Sequence, residues 1–330
     1  MTVTTPGGGP ARRFPEAVTV AKLGVILPAA GASRRFGSGG PKKPFQALAG
    51  RPVWQHAADR VFGREDVVRR VVVVAAADVE FFREKYAAAI RFYELEVVVG
   101  GAERSDSVAA ALARMPAEVS HVVVHDAARP VVAESWVDAV VAAALETGAA
   151  ILATPIANTI KRGEDVRPSH PPAGRGPVPA APQPDERPAR PAGGPDALQA
   201  MFGRSGTSRA PGKDLMSRLA ETRQGVRDDP SRRRAICRQT VSREGLWLAQ
   251  TPQVFAADLL RKAHAAARGG PPATDDAELV ERIGHPVTLV ECPALNIKIT
   301  TAADLAFAEA ALAALPRPAR PVSAHPFDND

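Results

Sequence analysis

Cysteine is scarce in this 330-residue chain, which carries only Cys237 and Cys292. Two cysteines build no disulfide framework, and neither belongs to a CxxC pair, so a disulfide-stapled scaffold and a zinc ribbon are both excluded. Aromatic residues make up only 5%, which argues against a protein that grips single strands by stacking bases on rings. No run of about 18 apolar residues occurs, so no transmembrane helix is expected. The opening TVTTPGGGPARRF has no apolar stretch of the secretory kind. A cytoplasmic protein without a membrane partner is the resulting expectation.

Proline and positive charge, in contrast, are plentiful. There are 31 prolines, and 42 Lys and Arg stand against 36 Asp and Glu, a net charge of +6. The apolar fraction of 45% is enough for a core, and the length admits two average domains or one with additions. The excesses are local. Residues 163–239 hold 12 of the prolines and a net charge of +5, leaving +1 for the rest of the chain. Low-complexity sequence such as PSHPPAGRGPVPAAPQPDERPARPAGGP buries too little apolar surface to offset the entropy of ordering it. A disordered Pro/Arg-rich insert is therefore expected over 163–235, with a short amphipathic stretch at 214–223. Residues 1–21 and 316–330 are read as disordered too, so that one domain spans 22–315 apart from the insert. Arg232, Arg233 and Arg234 read as a solvated charge run, and a nucleic-acid partner is not expected.

Outside the insert, short β-branched runs alternate with helical periodicity. Strands are expected at 23–27, 71–75, 95–99, 121–125, 149–154 and 287–291. Helices are expected at 53–62 after Pro52, 79–88, 107–113, 134–147, 256–268, 275–282 and 302–315, the last opened by a Thr301/Asp304 capping box. Alternation of this kind implies an α/β fold, a doubly wound, mostly parallel twisted sheet, whose ligands bind beyond the carboxyl ends of the strands.

The first strand runs into Pro28-Ala29-Ala30-Gly31-Ala32-Ser33-Arg34-Arg35-Phe36. Small residues after a strand let backbone N–H groups approach a phosphate, and Arg35 and Lys42 add positive charge. The segment is neither a Walker A loop nor GxGxxG, so a nicotinamide-dependent dehydrogenase fits poorly. Further along lie GGAERSDSV at 100–108, VHDAARP at 124–130, TPIANTIK at 154–161, TVSR at 240–243, LAQTPQVF at 248–255, TDDA at 274–277 and NIKIT at 296–300.

Taken in order, these eight motifs resemble those of the 2-C-methyl-D-erythritol 4-phosphate cytidylyltransferase family, within the sugar-nucleotide type of nucleotidyltransferases. The resemblance implies a Rossmann-like fold with a β-arm, a hairpin that embraces the partner of a homodimer, with the insert at its tip. It implies transfer of a cytidylyl group from CTP to a sugar-alcohol phosphate, with release of pyrophosphate and with magnesium held mainly by the CTP phosphates. Arg35, Lys42 and Lys298 would then clamp the triphosphate. Ala29, Ala30, Gly31, Gly101 and Ser107 would line the nucleotide. Asp126, Arg129, Thr159, Arg243, Thr251 and Thr274 would bind the acceptor, with Thr159 and Arg243 on the two legs of the arm. No metal-ligating side chain is implied. Ribitol 5-phosphate is the alternative acceptor, because its cytidylyltransferases carry similar motifs.

The bare residues allow plainer readings. His125 reads as structural, Lys43 and Arg34 as solvent-facing, both cysteines as inert, and each threonine alone as a cap or turn residue. Ser242 stands where the family has Asp, Lys43 where it has Gln, Ser33 where many members have Gly, and Asp276 where many have Glu. Deleting 163–234 should leave considerable transferase activity, measured as pyrophosphate release. A nucleic-acid module would instead lose steep, salt-dependent binding on that deletion.

Overall fold

The structure, a computed structural model, describes residues 21–31, 42–165 and 235–316. Arg34, Arg35, the stretch 214–223, the arginine triplet, most of the insert and nearly all of both terminal segments lie outside the described residues. The described residues form two compact units. One runs up to Ala157 and resumes at Glu244; the other lies between Asn158 and Arg243.

The first unit is built on a seven-stranded sheet. Its strands are β1 (Leu23–Pro28), β4 (Val67–Val74), β5 (Glu96–Val99), β6 (His121–Val124), β7 (Ala149–Pro155), β10 (Trp247–Ala256) and β11 (Thr288–Glu291). Their order is β11-β7-β10-β6-β1-β4-β5. Six run the same way, and β10 is antiparallel to both β6 and β7. A small hairpin of β2 (Ala47–Leu48) and β3 (Arg51–Pro52) stands apart from this sheet.

Both faces of the sheet are covered, so its central strands β1 and β6 and the second half of β4 read as apolar runs. On one face Leu23, Val25, Leu27, Val72 and Val74 pack with α1 (Val53–Phe62), α2 (Val79–Lys85), α3 (Ala87–Phe92) and α5 (Glu134–Thr147). The few aromatics gather there: Trp54 lies 5.0 Å from the Phe82 ring centre and 5.2 Å from that of Tyr86. On the other face Ile26, Val71, Val73, Val122 and Val124 meet α4 (Arg104–Leu112), α6 (Ala257–Ala266) and α7 (Asp276–Arg282). The alternation of Val25 and Leu27 against Ile26 follows the two-residue period of a strand. The helix α8 (Ala302–Ala314) packs on Leu48, Val53, Val131 and Ile299, and it opens with the expected capping box of Thr301 and Asp304.

Three elements differ from the sequence reading. The helix expected over 79–88 is two helices, broken at Tyr86, whose backbone leaves helical geometry (φ −113°, ψ 25°). The strand expected at 71–75 begins at Val67, so Arg69 and Arg70 lie within it. The segment 247–256 carries no strand signal, yet it forms β10 in the middle of the sheet. Pro252 obscures it: proline cannot donate to a ladder and is expected only at edges or bulges. The register slips between Ala249 and Gln253, so Pro252 falls in the irregular stretch.

The second unit holds a two-stranded antiparallel ribbon, β8 (Ile160–Asp165) and β9 (Ala235–Val241), paired from Ile160 opposite Val241 to Asp165 opposite Ala235. Composition puts Gly163, Glu164, Asp165 and Ala235 inside a disordered insert; the ladder makes them strand residues. Nearly every ribbon residue is exposed, Ile236 among them at 51%.

Candidate active site

The strand order reverses at β1, which has β4 on one side and β6 on the other. The connections leaving the carboxyl ends of two such strands diverge and open a crevice between them. A cleft lies there, lined among others by Ala30, Gly31, Gly101, Arg104, Asp126 and Lys298.

One wall is made from two turns in close contact. The Ala29 N–H donates to the Val73 carbonyl at 2.7 Å, and the Gly100 N–H donates to the Val74 carbonyl at 2.8 Å, so the turn after β1 and the turn after β5 both hang on β4. A Cβ on Gly100 would sit 2.7 Å from the Ala30 Cβ and 2.8 Å from Ser107 Oγ; one on Gly101 would sit 2.3 Å from the Asp106 Cβ. Only residues without a side chain allow this approach. Ser107 Oγ accepts from the Gly101 N–H at 3.2 Å and donates to the Glu103 carbonyl at 3.1 Å, which fixes the turn against α4.

The opposite wall is charged. Asp126, just past β6, has its side chain 11% exposed and is surrounded by three cations. Lys298 Nζ lies at 2.7 Å, Arg129 Nε at 3.6 Å and Arg104 Nε at 3.8 Å. Burial alone raises a carboxyl pKa, but Lys298, Arg104 and Arg129 outweigh it and hold Asp126 well below the usual carboxylate range. Arg104 is also paired from behind with Asp276, so three cations stand against two carboxylates and the cluster keeps a net positive charge, suited to an anion.

The loop carrying Lys298 is tied to this wall. The Ile299 N–H donates to the Ala128 carbonyl at 2.8 Å, Arg129 Nη1 donates to the Asn296 carbonyl at 2.8 Å, and Asn296 Nδ2 donates to the Thr251 carbonyl at 2.8 Å. Behind Asp126 lies a buried relay. The Asp126 N–H donates to Thr251 Oγ1 at 3.0 Å, and Thr251 Oγ1 is 3.2 Å from His125 Nδ1. His125 Nε2 is 3.0 Å from the Arg129 carbonyl. A carbonyl only accepts, so Nε2 carries the hydrogen and Nδ1 accepts from the threonine hydroxyl. Burial pushes the His125 pKa down to about 4, which keeps the ring neutral as this pattern requires. Both ring nitrogens are engaged, and the structural reading of His125 agrees with that.

The residues expected at the site are thus distributed as follows. Ala29, Ala30, Gly31, Gly101, Ser107, Asp126 and Lys298 line one cleft. Arg129 and Thr251 stand behind Asp126 and brace it. Lys42 pairs with Asp78 at 2.5 Å, while Lys43, read from sequence as solvent-facing, lines the cleft beside Pro44. Lys43 opens a short 3-10 turn, Lys43–Phe45, which buries Pro44 and Phe45 beside the cleft. Thr274 is exposed, and both its N–H and its hydroxyl donate to Glu278 Oε2 at 2.7 and 2.8 Å, the cap-type role that threonine often plays. Thr159 and Arg243 belong to the second unit and are exposed. Arg35 lies outside the described residues. Arg104 and Gly100 were missed by the sequence reading, although both stand in the GGAERSDSV motif. An arginine in a loop of charged residues gives no local sign that it turns inward.

A doubly wound sheet with a small-residue turn facing a cation-ringed carboxylate at its switch point defines a nucleotidyltransferase-type site. Comparison with known proteins narrows the class. Residues 23–169 and 225–314 match the family described as IspD, 2-C-methyl-D-erythritol 4-phosphate cytidylyltransferase. A protein of that name from Rhodopirellula baltica is 38% identical, over 88% of this chain and 95% of that protein. One from Bacillus velezensis is 34% identical over the same shares. A crystal structure of the Thermus thermophilus protein of that name superposes with a TM-score of 0.54 at 26% identity, covering 88% of this chain and 98% of the other. The chain belongs to the 2-C-methyl-D-erythritol 4-phosphate cytidylyltransferase family.

The buried neutral His125 generates a pH signature. In the unfolded chain this ring takes a proton below its ordinary pKa of 6.5, but in the folded protein only near 4. Between those values the unfolded state binds more protons, so stability falls as pH drops from 6.5 to 4, by about 3 kcal/mol from this group. His56 and His121 are lowered by burial too and add to the slope. Urea denaturation of His125→Gln at pH 7 and pH 4.5 should show a shallower loss than wild type, and an unchanged loss would remove His125 as its source.

Proposed function

We propose that this protein transfers a cytidylyl group from CTP to 2-C-methyl-D-erythritol 4-phosphate, giving 4-diphosphocytidyl-2-C-methyl-D-erythritol and pyrophosphate. The observation that carries the reading is the Lys298–Asp126–Arg104 group facing the Gly100-Gly101/Ala30 wall across one cleft, within a chain of this family. An oxygen of the acceptor phosphate attacks the α-phosphorus of CTP. A new P–O bond forms there, the bond from that phosphorus to the bridging oxygen breaks, and its electron pair leaves on pyrophosphate. The attacking oxygen is ionised at neutral pH, so the step requires no strong base. His125, neutral and fully engaged, is not cast as one. Catalysis then rests on positioning and on neutralising charge.

In this scheme the backbone of residues 29–31 and 100–101, with Ser107, lines the nucleotide. Lys298, Lys43 and Arg104 supply positive charge in the cleft, joined by Arg35 and Lys42 as the family motif implies. Asp126 orients Lys298 and, with Arg129 and Thr251 behind it, faces the acceptor. Magnesium fits as an ion carried by the triphosphate: Asp126 already accepts from Lys298, and among the described residues no cluster of three or more His, Cys, Asp or Glu is placed to hold a metal. Such an ion supplies charge neutralisation on the phosphates. A cytoplasmic location belongs to the same reading. Among the described residues no helix is long and apolar enough to cross a membrane, and both proposed substrates are water-soluble phosphates.

A homodimer formed through the β8–β9 ribbon is part of the proposal. A two-stranded ribbon with almost every side chain exposed is marginal alone and gains by packing on a partner. Thr159 and Arg243 would then complete a composite site for the acceptor. Sedimentation should find a dimer, and an active protein that sediments strictly as a monomer would sink that part.

The central test is an assay of pyrophosphate release with CTP and each alcohol phosphate. Methylerythritol phosphate should turn over, and Lys298→Ala should lower kcat by about 100-fold through loss of a transition-state charge contact. Turnover of ribitol 5-phosphate alone would replace the acceptor. A near-normal Lys298→Ala rate would remove that lysine from the mechanism.

A further inference from the structure

Arg104 is the first residue of α4, and its side chain is 26% exposed at the cleft. An arginine side chain at such a position has many rotamers to choose from, and ordering it costs conformational entropy. Here it is gripped from the far side. Arg104 Nη1 donates to Asp276 Oδ2 at 2.6 Å, while Nε points toward Asp126 at 3.8 Å. Asp276 comes from α7, 172 residues along the chain, and is fully buried. Its other oxygen, Oδ1, is 3.0 Å from His264 Nε2 on α6, and its backbone N–H donates to Gln253 Oε1 at 3.3 Å. Gln253 is in turn held by Asp275 at 2.8 Å.

Asp276 is outside the cleft lining and is shielded from it by Arg104. A fully buried carboxylate is expensive, and pairing only partly offsets its desolvation. Well-packed apolar side chains would join α6 and α7 at less cost. The feature the charge supplies, and an apolar contact cannot, is a fixed address for the guanidinium.

We propose that Asp276, braced by His264, is the positioning residue that holds Arg104 in the nucleotide cleft. The inference rests on the reading of that cleft as the CTP site. Arg104 shares its turn with Gly101 and Ser107, so its placement bears on the nucleotide before the acceptor. Releasing it weakens CTP binding, while kcat at saturating CTP falls less.

A double-mutant cycle on the full chain tests this, with CTP binding followed by calorimetry and thermal midpoints in parallel. Asp276→Asn keeps the shape and removes the charge; it should weaken CTP binding about tenfold in the wild-type background and leave it unchanged in Arg104→Ala. His264→Gln leaves Asp276 paired with Arg104 but frees its outer side. It should weaken CTP binding about threefold, again only when Arg104 is present, and this arm carries the test if Asp276→Asn does not fold. A merely structural role would lower the thermal midpoint in both backgrounds without the Arg104-dependent change in affinity. Equal weakening with and without Arg104, or CTP binding like that of wild type, overturns the inference alone. A wild-type protein that binds no CTP overturns the proposed function and this inference with it.

Discussion

At the carboxyl end of β6 an ionised carboxylate sits largely out of water among three cations. Asp126 remains charged there because Lys298, Arg104 and Arg129 approach it from three separate parts of the chain. Each cation brings its own element: α4 through Arg104, the turn after β6 through Arg129, and the segment before α8 through Lys298. Removing the carboxylate would leave these cations close together, with only Arg104 still ion-paired, to Asp276. The geometry of the cleft therefore depends on this cluster more than on any single contact with the solvent-facing wall. The cluster is also asymmetric in charge, and its surplus of positive charge is what a triphosphate and an alcohol phosphate would use.

The facing wall works by absence of side chains. Gly100 lets the turn after β5 approach Ala30 and Ser107, and Gly101 lets it approach Asp106, at distances that any Cβ would forbid. Backbone N–H groups can then be presented to a ligand without screening. One wall offers shape and neutral donors, the other offers charge, and β4 and β6 hold them apart on either side of β1. This division suits a reaction between two anions, in which one must be held still and both must be neutralised.

Much of this was legible along the chain. Short valine-rich runs alternating with helical periodicity identify a doubly wound sheet, because strands buried on both faces must be apolar throughout. The turn at 28–31 is legible as small residues directly after a strand with Arg35 and Lys42 following, whereas Gly100 reads only as the end of a strand. The full VHDAARP motif marks Asp126 and Arg129 through the family resemblance, whereas an isolated charged pair at a strand end reads as a structural polar network. The pattern failed where local rules are overridden. β10 was hidden by Pro252, which the sheet tolerates only through a register slip. Lys43 reaches the cleft lining from a single 3-10 turn that no pattern in the sequence marks. Thr274 proved to be engaged by Glu278, a contact between neighbours that no periodicity announces.

The sequence by itself determined the fold class, the placement of charge and proline in one segment, and the family, because these depend on composition, period and motif order. The tertiary structure alone decided which cations meet Asp126 and that Arg104 is clamped by Asp276. Arg129 is a neighbour of Asp126 in the chain, but the other partners lie 22 to 172 residues apart, and their pairing is set by how β1, β6, α4 and α7 pack, not by any local preference. Burial has the same origin: the surrounding helices and strands keep His125 neutral, while the cations they bring together keep Asp126 charged one residue away.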